Sequence, residues 1–330
     1  MLRLMQVRSR EGRRVVATAD GHSWFVRGHA TVYQLAQAAI SRRTTLAAVV
    51  AQAGRAGQAD PTKLLNSGRT LAPIDHPNPA HLLVSGTGLT HLGSAASRDA
   101  MHTKLAQTSA ATLSDSMKMF RMGVAGGKPR QGEAGAQPEW FYKGDGSFVV
   151  APGKPLVSPA FALDAGEEPE VCGVYVVGER GTPYRLGYAL MNEFSDHVTE
   201  RHNYLWLAHS KLRPCSFGPE LLVGELPGDI RGTSRIRRGR KVIFAQPFLT
   251  GEANMSHALD NLERHHFKYS YFRRPGDVHV HTFGTATLSF AAEIKTKAGD
   301  TFEIQAAPFG LPLVNSLALA KAERFMVRAL

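Results

Sequence analysis

The chain has 330 residues, a formal net charge of +11 and a sequence pI near 9.8. Its apolar fraction of 43% and charged fraction of 20% are typical of a globular protein with a large buried core. No apolar run reaches the roughly 18 residues that a membrane-spanning helix needs, and the start lacks the apolar region of a signal peptide. Cys172 and Cys215, the two cysteines, form no CxxC motif. We therefore expect a cytoplasmic protein without membrane contact or structural zinc.

The positive net charge makes nucleic acid a candidate partner. The densest basic run lies between Arg231 and Lys241. This run alternates like a β-hairpin that turns at Arg238-Gly239, and no aromatic residues interleave with its arginines. We interpret it as a solvated hairpin and expect no nucleic-acid partner. A binding protein that uses this hairpin is the alternative, and its binding would ignore metal and weaken steeply with salt.

The first part of the chain predicts a small separate module. Residues 1 to about 26 read as short strands, and residues 31–54 predict two helices with N-terminal capping residues. The proline-rich stretch 71–86 marks a boundary. We predict an N-terminal α+β module over residues 1–75 and a catalytic domain over residues 76–330.

The rest of the chain predicts few helices and many strands. Residues 97–122 have a helical pattern, and strand patterns separated by Gly and Pro turns follow Trp140. The predicted strands are 147–150, 171–178, 184–191, 220–224, 241–248, 277–283, 286–295 and 301–306. This order favours an α+β fold over a doubly wound parallel sheet.

An acidic pair precedes one of these strands, in the stretch GEEPEVCGVYVVGERG of residues 166–181. Glu168 and Glu170 lie two residues apart, so a strand would place both on one face. Like charges at the start of a buried strand repel each other unless a cation lies between them. Mg²⁺ prefers such carboxylate ligands, but the spacing alone fits an exposed acidic turn. We interpret Glu167 as a solvated neighbour.

Other segments also carry candidate functional residues. Glu193 follows an apolar strand, where it is either a third carboxylate ligand or an acid favoured at a helix N-terminus. His91 lies in a glycine-rich loop and is a candidate general base. His279 and His281 share one strand face, and we interpret them as surface or packing residues because no third nitrogen ligand accompanies them.

In sequence order, these segments resemble the fumarylacetoacetate hydrolase superfamily. That family shows E-x-E before an apolar strand, G-Y-x-x-x-N-D before S-A-R, a Lys before P-x-G-P, P-G-D-x-I…G-T, and G-D-x-V-E…G-x-L-x-N. The counterparts are EPEVCGVYVVG, GYALMNEFSDH, SKLRPCSFGPELLVG, RRPGDVHVHTFGTAT and KAGDTFEIQAAPFGLPLVNSL. The motifs are collinear over roughly residues 80 to 318.

The resemblance implies a mixed β-roll that holds a divalent metal, usually Mg²⁺, with Mn²⁺ as the other choice. The implied metal ligands are Glu168, Glu170 and Glu193, the last of which stands where the family usually has Asp. Lys211 matches the family's active-site lysine. The implied substrate-binding residues are Thr285, Lys143, Tyr204 and Glu200. Because family members often form dimers, a homodimer or larger homo-oligomer is expected.

The resemblance also favours one reaction. Hydrolases of the family carry a water-activating His-x-x-Glu pair, and Ser94 stands here where that Glu would follow His91. The chain looks most similar to the sugar-acid branch, with its 2-keto-3-deoxypentonate dehydratases of non-phosphorylative pentose pathways. The expected reaction is dehydration of a small anionic 2-keto-3-deoxy acid to 2,5-dioxopentanoate, with His91 and Lys211 moving protons. The alternative is C–C hydrolysis of an acylpyruvate or 2,4-diketo acid, with Asp99 replacing the missing Glu.

Overall fold

The computed structural model describes residues 1–92 and 114–330. Its helices are α1 (Val32–Arg42), α2 (Leu46–Ala53), α3 (Pro61–Asn66), α4 (Asp115–Gly126), α5 (His197–His202), α6 (Leu207–Lys211) and α7 (Leu259–Phe267). Its strands are β1 (Leu2–Ser9), β2 (Gly12–Ala19), β3 (His22–Val26), β4 (Arg55–Gln58), β5 (Leu82–Gly88), β6 (Glu139–Asp145), β7 (Leu156–Ser158), β8 (Pro169–Val177), β9 (Pro183–Asn192), β10 (Ser216–Phe217), β11 (Leu221–Val223), β12 (Ile230–Arg238), β13 (Lys241–Thr250), β14 (Val278–Thr282), β15 (Thr301–Ala306) and β16 (Leu313–Leu319). Among the described helices, none is long and apolar enough to cross a membrane.

The strands form one large and one smaller mixed sheet. The large sheet has the order β4-β3-β2-β1-β11-β9-β8-β14-β5-β6, with β10 also paired to β9. The smaller sheet has the order β13-β12-β15-β16-β7. The pairs β14–β5 and β16–β7 are parallel, whereas β8 pairs antiparallel with both β9 and β14. The predicted α+β class is confirmed.

Apolar layers on both faces of the large sheet fix the position of β8. On one face, Val174 belongs to a buried cluster that includes Val49 of α2. On the other face, Val171 packs in a cluster with Phe248 and Ile304 of the smaller sheet. Each fully buried side chain of this size contributes about 1.5–3 kcal/mol to folding. The acidic start of β8 is therefore held against a packed core.

The N-terminal strands extend the large sheet. β1 pairs antiparallel with β11, with Leu4 opposite Leu221. Next to this pair, the Arg3 Nε lies 3.3 Å from a carboxylate oxygen of the buried Glu220. The sheet is thus continuous across residue 75, and the division into two domains there stays a prediction.

The predicted strand 286–295 is wrong. A 3₁₀ turn, Ser289–Ala292, occupies its middle and ends at Glu293, whose φ of 58° is left-handed. The Ser289 N–H and hydroxyl donate to the Glu167 carboxylate at 3.1 and 2.5 Å. One buried carboxylate, 122 residues earlier, therefore overrides the local alternation that indicated a strand.

Other local predictions have different outcomes. The basic hairpin that turns at Arg238-Gly239 is confirmed by the pairing of β12 with β13. The predicted strand 147–150 is wrong, because the chain leaves β6 through the 3₁₀ turn Gly146–Phe148. The predicted helix 97–122 falls outside the described residues as far as position 113, and α4 begins at Asp115.

Candidate active site

Three glutamates meet where β8 begins and β9 ends. The antiparallel register sets Pro169 opposite Asn192, so Glu168 and Glu170 from one strand end lie beside Glu193 from the other. The Glu193 N–H donates to the Glu168 carbonyl at 3.1 Å. All three side chains are buried, and one oxygen of each carboxylate lies within 4.8 Å of the others. We call Glu168, Glu170 and Glu193 the carboxylate cluster.

A side-chain amide shapes the turn that carries Glu193. The Asn192 Oδ1 accepts hydrogen bonds from the backbone N–H of Glu168 at 3.3 Å and of Phe194 at 3.1 Å. Phe194 has a φ of 46°, a left-handed conformation that bulky residues seldom adopt. The amide therefore links the two strand ends and stabilises the turn that points Glu193 toward its neighbours.

The carboxylate cluster has an unused oxygen and space for a cation. Glu170 Oε2 accepts from the Gly284 N–H at 2.8 Å, while the buried Oε1 has no hydrogen-bond partner in the described ranges. A cavity of about 20 Å³, lined by the cluster, Lys211 and Thr285, lies in front of it. That volume holds about one water-sized sphere. Oxygen donors around so small a space fit Mg²⁺ or Mn²⁺.

The electrostatics of the cluster point the same way. Burial, with the nearby charges of Glu193 and Glu168, raises the pKa of Glu170 well above its usual range. Burial also opposes ionisation of Glu168, but Lys211 and His197 outweigh it and lower the pKa of Glu168 well below its usual range. A cation in the cavity would stabilise the charge of Glu170, which Lys211 and the Gly284 N–H favour but do not fully compensate.

Lys211 places a positive charge on the cavity wall. It ends α6 and is buried, with Nζ 2.5 Å from Glu168 Oε1 and 3.1 Å from Glu193 Oε1. Its Nζ also lies 5.0 Å from the centroid of the Phe141 ring. Two carboxylates at these distances favour the ammonium form. Lys211 can therefore donate a hydrogen bond or a proton to a ligand in the cavity.

Solved structures share this fold. The 2-keto-3-deoxy-D-arabinonate dehydratase complexed with magnesium and 2,5-dioxopentanoate matches at a TM-score of 0.68 and 20% identity, over 97% of this chain and 100% of that chain. The chain has the fold of the fumarylacetoacetate hydrolase superfamily. Fumarylacetoacetate hydrolase from Exiguobacterium antarcticum matches at a TM-score of 0.58 and 14% identity, over 97% and 100% of the two chains.

An isomerase has the same superfamily fold. The 5-carboxymethyl-2-hydroxymuconate delta-isomerase from Mycobacterium smegmatis matches at a TM-score of 0.57 and 17% identity, over 96% of this chain and 100% of that chain. No family model matches the sequence, and no curated protein matches it significantly. The likeness to these structures is one of fold, and the predicted superfamily architecture is confirmed.

His197 is a site residue that sequence reasoning missed. It begins α5 and is buried, with Nε2 3.2 Å from Glu168 Oε1 and Nδ1 3.1 Å from Asp164 Oδ2. Burial lowers its pKa, but the hydrogen bonds to Asp164 and Glu168 prevail and raise the pKa to about 10. A signal was present, because His197 stands where the superfamily motif S-A-R has its arginine.

The prediction that Glu167 is solvated is wrong. Its side chain is fully buried, and burial raises its pKa to about 7. Both of its carboxylate oxygens accept hydrogen bonds from Ser289. Glu167 thereby anchors the loop that carries Thr285, while its neighbours Glu168 and Glu170 face the cavity.

Two of the predicted substrate-binding residues have different surroundings. Thr285 lines the cavity. Lys143 is fully buried, and its Nζ donates to the carbonyls of Phe194 and Lys211 at 2.8 and 2.9 Å. It also lies 3.6 Å from Glu193 Oε1. Lys143 therefore braces the chain segments that carry Glu193 and Lys211.

His91 lies behind the cavity wall formed by the described residues. Its Nε2 is 2.9 Å from Thr250 Oγ1, and its Nδ1 is 3.1 Å from Thr90 Oγ1. A Cβ on Gly284 would lie 3.5 Å from the same Nδ1, which sets the ring against the backbone that binds Glu170. Burial lowers the pKa of His91 to about 4, so its imidazole is neutral at pH 7.

The remaining predicted residues lie outside this small cavity. Glu200 is buried on α5, and Tyr204 begins the 3₁₀ turn that follows α5. Neither lines the cavity as the described residues define it. Ser94 and Asp99, on which the hydrolase alternative depends, lie outside the described residues.

Proposed function

We propose that the protein is a metal-dependent lyase that dehydrates a 2-keto-3-deoxy sugar acid, with 2-keto-3-deoxypentonate giving 2,5-dioxopentanoate. The observation that carries the proposal is the buried carboxylate cluster around a cavity with Lys211 on its wall. A protein of the same fold, complexed with magnesium and 2,5-dioxopentanoate, supports this choice of metal and product. Ser94, in place of the water-activating Glu, favours dehydration over hydrolysis.

The carboxylate cluster would hold the metal. When bound, Mg²⁺ or Mn²⁺ would supply Lewis-acid stabilisation, worth about several kcal/mol, of negative charge on the C2 oxygen of the substrate. Thr285 would hold the substrate carboxylate, because it borders the same cavity. The binding of a small anion also suits the net charge of +11.

Two residues would move the protons. Lys211 suits the acid that protonates the C4 hydroxyl as it leaves as water, because two carboxylates favour its ammonium form. The predicted acceptor of the C3 proton is His91, whose imidazole is neutral at pH 7. Because His91 lies behind the cavity wall, the proton would have to reach it through the hydroxyl of Thr90 or Thr250, which lie 3.1 and 2.9 Å from its ring nitrogens. Loss of both groups leaves an enone, and tautomerisation through C5 then gives the aldehyde of the 2,5-dioxo acid.

Three broader properties accompany the proposal as predictions from the resemblance. They are a cytoplasmic location, a role in non-phosphorylative pentose catabolism and a homodimeric or larger assembly. We propose no nucleic-acid partner, because four arginine-to-carboxylate ion pairs engage the hairpin formed by β12 and β13 and the residues before it. The proposed binding partner is the substrate itself, a small anionic 2-keto acid.

The proposal is tested by incubating the purified protein with 2-keto-3-deoxypentonate or an acylpyruvate, each with Mg²⁺ or with EDTA. We expect 2,5-dioxopentanoate from the pentonate only when Mg²⁺ is present. Release of pyruvate from the acylpyruvate, with the pentonate unchanged, would favour the hydrolase alternative. Turnover of neither substrate would contradict both enzyme functions. Glu179→Gln, at an exposed position, is the matched control for substitutions in the cluster.

A further inference from the structure

His197 joins two carboxylates on the outer side of the carboxylate cluster. Its Nε2 lies 3.2 Å from Glu168 Oε1, and its Nδ1 lies 3.1 Å from Asp164 Oδ2. The His197 side chain is 2% exposed, and that of Asp164 is 13% exposed. Asp164, His197 and Glu168 therefore form a continuous hydrogen-bonded row from near the protein surface to the cavity.

Packing contacts fix the position of the His197 imidazole ring. Its ring stacks on Phe290 with centroids 5.3 Å apart and an interplanar angle of 24°. Next to the ring lies Gly166, where a Cβ would come within 2.5 Å of two ring atoms of His197. The preceding residue, Asp196, caps α5 by accepting from the Thr199 N–H at 2.9 Å. The ring plane and both nitrogen positions are therefore fixed by the fold.

This fixed ring constrains the carboxylate of Glu168. Glu168 Oε1 accepts from both His197 and Lys211, at 3.2 and 2.5 Å. The hydrogen bonds that His197 and Lys211 donate to this carboxylate both fall on Oε1 and neither on Oε2. The two donors on one oxygen limit rotation of the carboxylate and leave its other oxygen for a cation. Lys211 by itself would orient the Glu168 carboxylate less firmly, because its ammonium group also contacts Glu193.

We propose that His197 is a positioning residue, which with Asp164 behind it holds the Glu168 carboxylate in the orientation that binds the metal. The inference rests on the proposed metal site, and it adds a residue that the proposed reaction does not use. Removal of a group that orients a metal ligand typically weakens metal affinity or activity by about 10- to 100-fold. We expect an effect of that size on metal affinity itself.

The test is calorimetric titration of Mn²⁺ into the metal-free, full-length protein without substrate. His197→Phe keeps an aromatic ring beside Phe290 but removes both hydrogen bonds. His202→Phe, at an exposed position on the same helix, is the matched control. We expect the dissociation constant for Mn²⁺ to rise about 10- to 100-fold in His197→Phe and to stay at the wild-type value in His202→Phe.

A second variant keeps the test decisive if His197→Phe does not fold. Asp164→Asn leaves the ring in place and removes the charge behind it, so we expect a smaller rise in the same dissociation constant. A folded variant at either position with wild-type Mn²⁺ affinity, and only a lower melting temperature, would overturn the positioning role. Wild-type protein that binds no Mn²⁺ would instead overturn the proposed metal site.

Discussion

Two buried polar clusters lie on neighbouring strands of the large sheet, and they differ in what they can bind. One is the carboxylate cluster at the start of β8. The other, which we call the histidine cluster, contains His279 and His281 of β14 with His266 of α7. The His266 and His281 rings stack with centroids 4.5 Å apart, and His266 Nε2 lies 3.0 Å from His279 Nδ1. Within the described residues, only the carboxylate cluster gathers its ligand atoms around one point.

The difference follows from how each residue type tolerates burial. Burial lowers the pKa of His281 to about 3 and that of His279 to about 4, so these rings stay neutral and pack like aromatic residues. A glutamate that is ionised when buried cannot pack as a neutral group in this way, and it needs a compensating cation. Three histidines and three glutamates are equally familiar ligand sets. The convergence of carboxylate oxygens on a small cavity, rather than residue type, therefore favours the carboxylate cluster as the proposed metal site.

The largest effect is expected from a substitution in the carboxylate cluster. Glu170→Gln should abolish metal binding and lower kcat by about 10³-fold, because Lewis-acid stabilisation of several kcal/mol is lost. In EDTA the same variant should unfold at a higher temperature than the wild type, because one of three crowded acidic groups is neutralised. Calorimetry and steady-state kinetics measure these changes against Glu179→Gln. Wild-type metal affinity in Glu170→Gln would contradict the site.

Lys211→Met should separate proton transfer from metal binding. We expect kcat to fall about 10²- to 10⁴-fold, as for the loss of a general acid. Metal affinity should be retained or increased, because the Lys211 ammonium and the metal compete for the same carboxylates. A loss of Mn²⁺ affinity as steep as the loss of kcat would show that Lys211 supports the metal site instead.

His281→Phe should change the pH dependence of stability without affecting metal binding. The folded-state pKa of His281 is lowered from 6.5 to about 3, so its contribution to stability is full above pH 6.5 and falls as the pH drops below it. Each such histidine contributes a slope of up to about 1.4 kcal/mol per pH unit.

The variant should therefore lose less unfolding free energy than the wild type between about pH 6 and pH 4. Chemical denaturation at a series of pH values measures this slope, and calorimetry measures Mn²⁺ affinity. Weaker Mn²⁺ binding in His281→Phe would assign the metal to the histidine cluster and reverse the comparison.

The smallest effect is expected at Glu167, the neighbour of the cluster. Glu167→Ala should lower the free energy of unfolding by about 1–3 kcal/mol, because the Ser289 hydrogen bonds are lost in a buried setting. Glu167→Gln, which keeps an acceptor, should lose less. KM should rise in Glu167→Ala as the Thr285 loop loosens, with Mn²⁺ affinity unchanged. A metal defect as large as that of Glu170→Gln would place Glu167 among the ligands.

Sequence reasoning predicted the three glutamates of the carboxylate cluster because they lie in short motifs at strand ends. The apolar strands predicted at 171–178 and 184–191 correspond to β8 and β9 within two residues at each end. That correspondence places Glu170 and Glu193 at adjoining strand ends. A shared strand face does not by itself place Glu168 beside Glu170, because β8 begins only at Pro169. The Glu168 N–H is instead held by a hydrogen bond to Asn192 Oδ1.

The residues that sequence reasoning missed have partners far along the chain. Glu167 looked solvated because its partner, Ser289, is 122 residues away and lies in a stretch that reads as a strand. His197 and Asp164 are 33 residues apart and meet only when α5 packs beside the start of β8. Local periodicity and residue spacing do not predict contacts between residues so far apart in the chain. Such contacts are visible only in the folded structure.

The most direct test of the metal site is an anomalous difference map from crystals of the wild-type protein soaked in Mn²⁺. We predict one peak per chain bounded by the carboxylates of Glu168, Glu170 and Glu193, and its loss in crystals of Glu170→Gln. A map with no peak between these carboxylates, or with its peak at the histidine cluster, would contradict the account.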